Sequence, residues 1–371
     1  MSLNKEGPNK KNWALLAYIA GDNNLSNAGL KDIQEMCDVG ASQDVYVGIE
    51  MDTVGEHDGS IRYEIGEPDF TGEAHRTVIE RLSEKDTGDP TTLTNFLKWG
   101  LERFPADNTL AVIWGHGAGF RSQRRDIGFD DFGSSLDMSD VENAFRQAGI
   151  SSDRKLAILG FDACLMNMLE VVHHFRDQVA VVVGSQQTEP GDGWPYDQVL
   201  DALKTPGSQR DKASQIVDAY IADYKKHGVF DVTQSAVETS RTHDAILAVG
   251  QLGSALSARI SDWRAGLSRL RVAVQCFEFA DYVDLIHLVT LMPRYINDGA
   301  IEVLTQGVAK STAACVVANG FLGDSVQDAR GLSIWFPSDA ATYFNHRAKY
   351  LSLSFAKTTR GWVDFLDAYF S

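Results

Sequence analysis

The chain has 371 residues, 44% of them hydrophobic, enough for one large domain or a domain with a subdomain. Its 51 acidic residues outnumber 34 basic ones for a formal charge of −17, which excludes attraction to a phosphate backbone and with it a nucleic-acid partner. Four scattered cysteines, Cys37, Cys164, Cys276 and Cys315, exclude a disulfide-stapled module. No apolar stretch approaches the roughly 20 residues of a membrane span, and Met1 to Asn12 has no signal-type apolar region. The expectation is a soluble chain, with both secreted and cytoplasmic locations open.

Trp13 to Ala20 is an apolar run that ends in the turn cluster Gly21-Asp22-Asn23-Asn24, whose polar residues can cap a helix from Leu25 to Cys37. Val45 to Met51 is a second apolar run, and Ile61 to Ile65 alternates as a half-exposed strand does. Thr91 to Phe104 has helical spacing and Leu110 to Trp114 is strand-like; Asp140 to Ala148 is a helix before the strand at Leu156. Leu165 to Phe175 has a helical pattern, and Val179 to Val183 suits a strand buried on both faces. Strand and helix alternate, which predicts an α/β fold with a mainly parallel sheet covered by helices on both faces. From about Thr239 the pattern turns mostly helical. The exception is Gly331 to Pro337, expected as a strand that returns to the sheet. Expected boundaries are 1–238 for the main domain and 239–371 for a C-terminal subdomain.

Parallel sheets bind ligands beyond the carboxyl ends of their strands. His116, flanked by Gly115 and Gly117, follows the strand at Leu110, and Cys164 follows the strand at Leu156. A lone strand-end cysteine is more often buried and inert, and a glycine-flanked histidine is more often a turn residue. The pair at matched strand ends is what points to a nucleophile and its partner. Cys164 at the start of a helix and near an imidazole is expected to have a low pKa. The N–H groups of Gly117 and Cys164 are natural oxyanion donors. Ser185 ends a third strand but lacks a G-x-S-x-G elbow, so it is expected to line the pocket beside Gln186, Thr188 and Asp192. Adjacent His173 and His174 do not share a helix face as zinc ligands would.

These residues carry a resemblance. Ala17 to Leu25 with its Asp-Asn-Asn-Leu turn, Trp114-Gly115-His116-Gly117, Gly160-Phe161-Asp162-Ala163-Cys164-Leu165-Met166, Gly193-Trp194-Pro195-Tyr196 and Gly331 to Pro337 together resemble the clostripain-like cysteine peptidases, relatives of caspases, gingipains, legumains and separase. Gly115 departs from the polar residue that members often carry there. Caspases place their histidine about 50 residues before the cysteine, so the present spacing agrees with that pattern and adds no independent support.

The resemblance implies a caspase-like sandwich and peptide-bond hydrolysis by a His116/Cys164 dyad, with Gly117 and Cys164 N–H groups on the oxyanion and no third catalytic residue required. It implies a preference for arginine over lysine, with Asp162 holding the guanidinium in a two-bond fork; Asp162 is also a plausible cap for the following helix. Activating cleavage is expected in the 119–135 linker near Arg124 or Arg125. Calcium is raised by the family, but Asp126, Asp130, Asp131 and Asp137 form no EF-hand pattern, so no metal and no cofactor is assigned. The expected partner is a peptide or protein substrate, with oligomeric state open. The competing readings are a catalytically silent peptide-binding protein on the same fold and a hydrolase or transferase of other acyl groups.

Overall fold

From Trp13 to Gly21 every residue of β1 (Lys11–Gly21) is buried, and strand alternation divides them between two cores. Ala14, Leu16 and Tyr18 join one apolar cluster, while Trp13, Leu15, Ala17 and Ile19 join the other. This is the signature of a central strand with helices on both faces. The computed structural model describes residues 9–53, 59–121, 127–128 and 134–371.

In chain order the first half runs β1, α1 (Ser26–Val39), β2 (Val45–Thr53), β3 (Ile61–Ile65), β4 (Arg76–Arg81), α2 (Pro90–Arg103), β5 (Ala106–Trp114), α3 (Met138–Gln147), β6 (Leu156–Asp162), α4 (Leu169–His174) and β7 (Val179–Gly184). It continues with α5 (Tyr196–Lys204), α6 (Gln209–His227), β8 (Val232–Glu238), α7 (Thr242–Ala258), α8 (Ile260–Ala273), β9 (Tyr282–Asp284), α9 (Leu285–Leu291), α10 (Gly299–Cys315), β10 (Val316–Leu322) and β11 (Ser333–Trp335). Helices α11 (Ala340–Ser352), α12 (Ser354–Thr358) and α13 (Gly361–Phe370) complete the chain.

The main sheet has the order β10-β8-β7-β6-β5-β1-β2-β3-β4. Its five central strands, β7 to β2 in that order, are mutually parallel, and antiparallel strands close both flanks. Helix starts follow capping chemistry. Asp89 accepts from the N–H of Thr91 ahead of Pro90 in α2, and Asp137 with Asp140 forms a capping box on α3. The mainly parallel α/β sandwich expected from the alternation is the observed fold.

The segment at Gly331 differs from expectation. β11 pairs antiparallel with β9 in a separate two-stranded sheet, and the strand that joins the main sheet from the C-terminal part is β10, antiparallel to β8. The reason lies in the partners of Ser333 and Trp335: their N–H groups go to the carbonyl of Asn167 at 3.0 Å and to Glu170 Oε1 at 2.9 Å. The segment thus braces the loop that follows β6. Residues on both sides of the expected 238/239 boundary share one core, with Leu159 and Phe161 of β6 in the same cluster as Leu252, Trp362 and Phe365.

Candidate active site

In the β5/β6 ladder Trp114 stands opposite Asp162, so His116 and Cys164 both lie two residues beyond the paired ends. The Gly115 N–H continues the ladder to the Asp162 carbonyl at 3.1 Å. Gly117 then packs on the next turn: a Cβ there would stand 2.5 Å from the Cys164 carbonyl oxygen and 3.0 Å from the Cys164 nitrogen. A cavity of about 300 Å³ opens at this edge, lined by Trp114, His116, Asp162, Cys164, Thr188 and Glu189 among others. The nucleophile and histidine candidates therefore share one cavity.

Cys164 is not at a helix start. Helix α4 begins at Leu169, and Leu165 takes a left-handed φ of 65°, which breaks the chain direction directly after the cysteine. The next residues are held extended, with the Asn167 N–H on the Ser185 carbonyl at 2.9 Å and Met168 bridged to Ser333. The thiol consequently lacks the positive end of a helix. Burial pushes it up from its ordinary value and the Asp162 charge adds to that, against the lowering effect of the Glu189 N–H, which donates to Sγ at 3.3 Å. The expectation of a lowered thiol pKa from a helix start therefore has no helix behind it, and burial works in the opposite direction.

Asp162, the last residue of β6, is no helix cap. Its Oδ2 accepts the Tyr196 hydroxyl at 2.9 Å and the Trp194 N–H at 3.2 Å, which accounts for the Gly-Trp-Pro-Tyr segment. Gly193, at φ 62°, leaves its side-chain position open 3.1 Å from Asp162 Oδ2 and 3.3 Å from Asp32 Oδ2. Asp32, on the inner face of α1, accepts the Trp114 indole N–H at 2.7 Å, and its other oxygen has no hydrogen-bond partner among the described residues. Glu189 adds a third carboxyl beside Asp162 and Cys164.

Burial raises all three acids. Asp162 reaches about 6, held down from a larger rise by the hydrogen bonds on its carboxyl. Asp32 is pushed far up by burial and by the neighbouring Asp162 charge, and Glu189 is raised well above the carboxylate range for the same two reasons. Asp32 was missed in the sequence, where the available signal was a carboxylate at the buried spacing Gly29, Asp32, Ile33, Met36 of a helix.

Other candidates fall elsewhere. Ser185 is fully buried, its Oγ 2.9 Å from Thr233 Oγ1, and does not line the cavity. Gln186 is also buried, joining Asp284 at 3.0 Å and the Gly331 N–H at 2.8 Å. Thr188 does line the cavity. Asp192 lies in an adjoining cavity of about 430 Å³ and is paired with Lys31 at 2.8 Å. Arg124, Arg125, Asp126, Asp130 and Asp131 lie outside the described residues. Asp137 is occupied in capping α3, and no metal-holding group of three His, Cys, Asp or Glu occurs among the described residues. His173 and His174 are structural, bonded to Thr242 at 3.0 Å and Glu142 at 2.9 Å. Among the described residues no helix is long and apolar enough to cross a membrane.

Comparison with known proteins identifies the family. Clostripain from Hathewaya histolytica is 26% identical over 229 residues, 52% of this chain, and the match spans 42% of that relative's length. The fold matches a secreted C11 cysteine protease of Bacteroides thetaiotaomicron, solved with an irreversible peptide inhibitor, at TM-score 0.71 and 19% identity over 92% of this chain and 98% of that one. It also matches an inactive zymogen C11 protease of Parabacteroides distasonis at TM-score 0.72 and 18% identity over 95% and 99%. The sequence profile of the clostripain family matches residues 17–369, and the chain belongs to the clostripain family of cysteine peptidases.

Proposed function

We propose that this chain is a cysteine endopeptidase that cleaves after basic residues, arginine before lysine. The observation that carries the reading is that His116, Cys164 and the buried carboxyl of Asp162 line one cavity. Cys164 transfers its proton to the His116 imidazole as Sγ attacks the scissile carbonyl carbon. The N–H groups of Gly117 and Cys164 receive the oxyanion. The imidazolium returns the proton to the leaving amine, and water, deprotonated by the imidazole, releases the acyl group. A thiol whose pKa burial holds up suits this order, with the proton moving as the substrate is attacked.

The preference for a cationic side chain is supported by the three carboxyls around the pocket end. A guanidinium entering beside Asp162 makes a charge-assisted pair with its carboxylate. Thr188 serves as a wall residue, whereas Asp192, paired with Lys31 in the adjoining cavity, is given no part in the pocket.

Activation by cleavage near Arg124 or Arg125 is part of the same proposal. Full-length protein should therefore give two fragments on incubation, while Cys164→Ala stays one band; wild type that also stays one band removes the self-cleavage reading.

The function is tested by labelling with an arginyl peptide ketone carrying a leaving group. The expected result is a single adduct on Cys164 by mass spectrometry, lost in His116→Ala and weakened in Asp162→Asn. Labelling spread over the exposed Cys276 with none on Cys164 would favour the silent peptide-binding protein.

A further inference from the structure

The turn after β1 brings Asn24 against the His116 imidazole, with Oδ1 2.9 Å from Nε2. An amide oxygen only accepts, so this contact is a hydrogen bond when Nε2 carries the proton. Its neighbour fixes the turn: Asn23 is buried, donates its Nδ2–H to the Ala20 carbonyl at 2.9 Å and accepts the Leu25 N–H at 2.8 Å, closing an Asx turn. Ile19 stands opposite Trp114 in the β1/β5 ladder, so a turn leaving β1 meets a residue just past β5. Asn24 does not cap α1, because the residue at that cap is Leu25 and no side chain bonds there. Helix capping therefore does not account for the placement of Asn24.

We infer that Asn24 is a positioning residue for His116, fixing which ring nitrogen carries the proton and how the ring is oriented. The inference rests on the acid–base role proposed for His116. With Nε2–H held by Asn24, the neutral ring keeps its lone pair on Nδ1, and that nitrogen takes the thiol proton. The imidazolium keeps the same bond to Asn24. The ring therefore does not turn between receiving the proton and delivering it to the leaving amine, an economy of motion that a free histidine lacks. Among the described residues, the titratable groups that line the cavity with the ring are Cys164, Asp162 and Glu189.

The test uses the full chain with Asn24→Ala and Asn24→Asp, measuring kcat, KM and the pH profile on an arginyl peptide. Asn24→Ala is expected to lose about ten-fold in kcat with KM unchanged, the scale of one hydrogen bond. Asn24→Asp keeps an acceptor; it is expected to retain most turnover and to move the kcat/KM profile to higher pH, because a carboxylate favours the imidazolium. An unchanged kcat in Asn24→Ala overturns the inference. So does an equal loss in both variants with the profile unmoved, which is what a merely structural turn gives. Nitrogen-15 NMR of the ring reads the contact without turnover: the wild-type neutral form is expected protonated at Nε2, and a ring protonated at Nδ1 overturns the inference. If His116→Ala keeps full turnover, the acid–base reading fails separately, and the NMR result still decides the Asn24 contact.

Discussion

Gly117 lies so close to Cys164 that a single methyl group at position 117 would meet the Cys164 carbonyl oxygen at 2.5 Å. The obstacle is backbone, which cannot rotate aside as a side chain does. Gly117→Ala is therefore expected to displace both oxyanion donors and to lower kcat on the order of 10²–10³, with arginyl-ketone binding less affected. Steady-state kinetics on Gly117→Ala and wild type checks this; unchanged kcat would mean the two N–H groups have another role.

Asp162 supplies the second prediction. Asp162→Asn should reduce the ratio of kcat/KM for arginine over alanine peptides by about 10- to 100-fold, the scale of one charged hydrogen bond. The same ratio in wild type should fall as pH drops through about 6, where the Asp162 carboxyl takes up a proton. Using the ratio cancels the titration of the thiol and imidazole. A flat ratio between pH 5 and 8 would remove Asp162 from specificity.

Asp32 makes a prediction about stability. Its folded pKa is raised, up to about 9, above the roughly 3.9 of an unfolded chain. The folded state therefore binds more protons, and the acid's contribution is most favourable below pH 4 and is lost progressively as pH rises toward 9. Asp32→Asn keeps an acceptor for the Trp114 indole without the charge. It should raise Tm at pH 8 by about 2–4 °C and leave it unchanged near pH 4. Calorimetry at both values checks the sign, and a lower Tm at pH 8 would contradict it.

The thiol makes a fourth. Because burial and Asp162 hold the Cys164 thiol up, iodoacetamide at pH 7 should modify the exposed Cys276 first, with Cys164 following as pH rises. Peptide mapping of the alkylated protein decides the order. Fast modification of Cys164 at pH 6 would show a preformed thiolate.

The strand ends were legible because apolar runs in a parallel sheet stop at its functional edge, which is how Leu110 to Trp114 and Leu156 to Asp162 pointed to His116 and Cys164. A strand end specifies the edge but not what a side chain meets there. Ser185 ends β7 at that edge, yet its hydroxyl is taken up by Thr233 of β8, a strand outside the parallel set. Asn24 was hidden by sufficiency: a Gly-Asp-Asn-Asn cluster is explained by turn chemistry alone, and only the β1/β5 register aims one asparagine at the histidine. Asp32 and Glu189 reach Asp162 through tertiary packing of α1 and of the loop after β7, which no local spacing encodes. The helix expected at Leu165 fails at a left-handed backbone step, and leucine gives no warning of such a step.

The central claim is that Cys164 and His116 hydrolyse peptides after a basic residue. Its most direct test is turnover of fluorogenic peptides that differ only at the cleavage position, with arginine, lysine, aspartate or alanine, for wild type, Cys164→Ala and His116→Ala. The account predicts turnover by wild type in the order arginine, lysine, then alanine and aspartate, and none by either variant. Wild type that turns over none of the four, before or after nicking of the 119–135 linker, would contradict it.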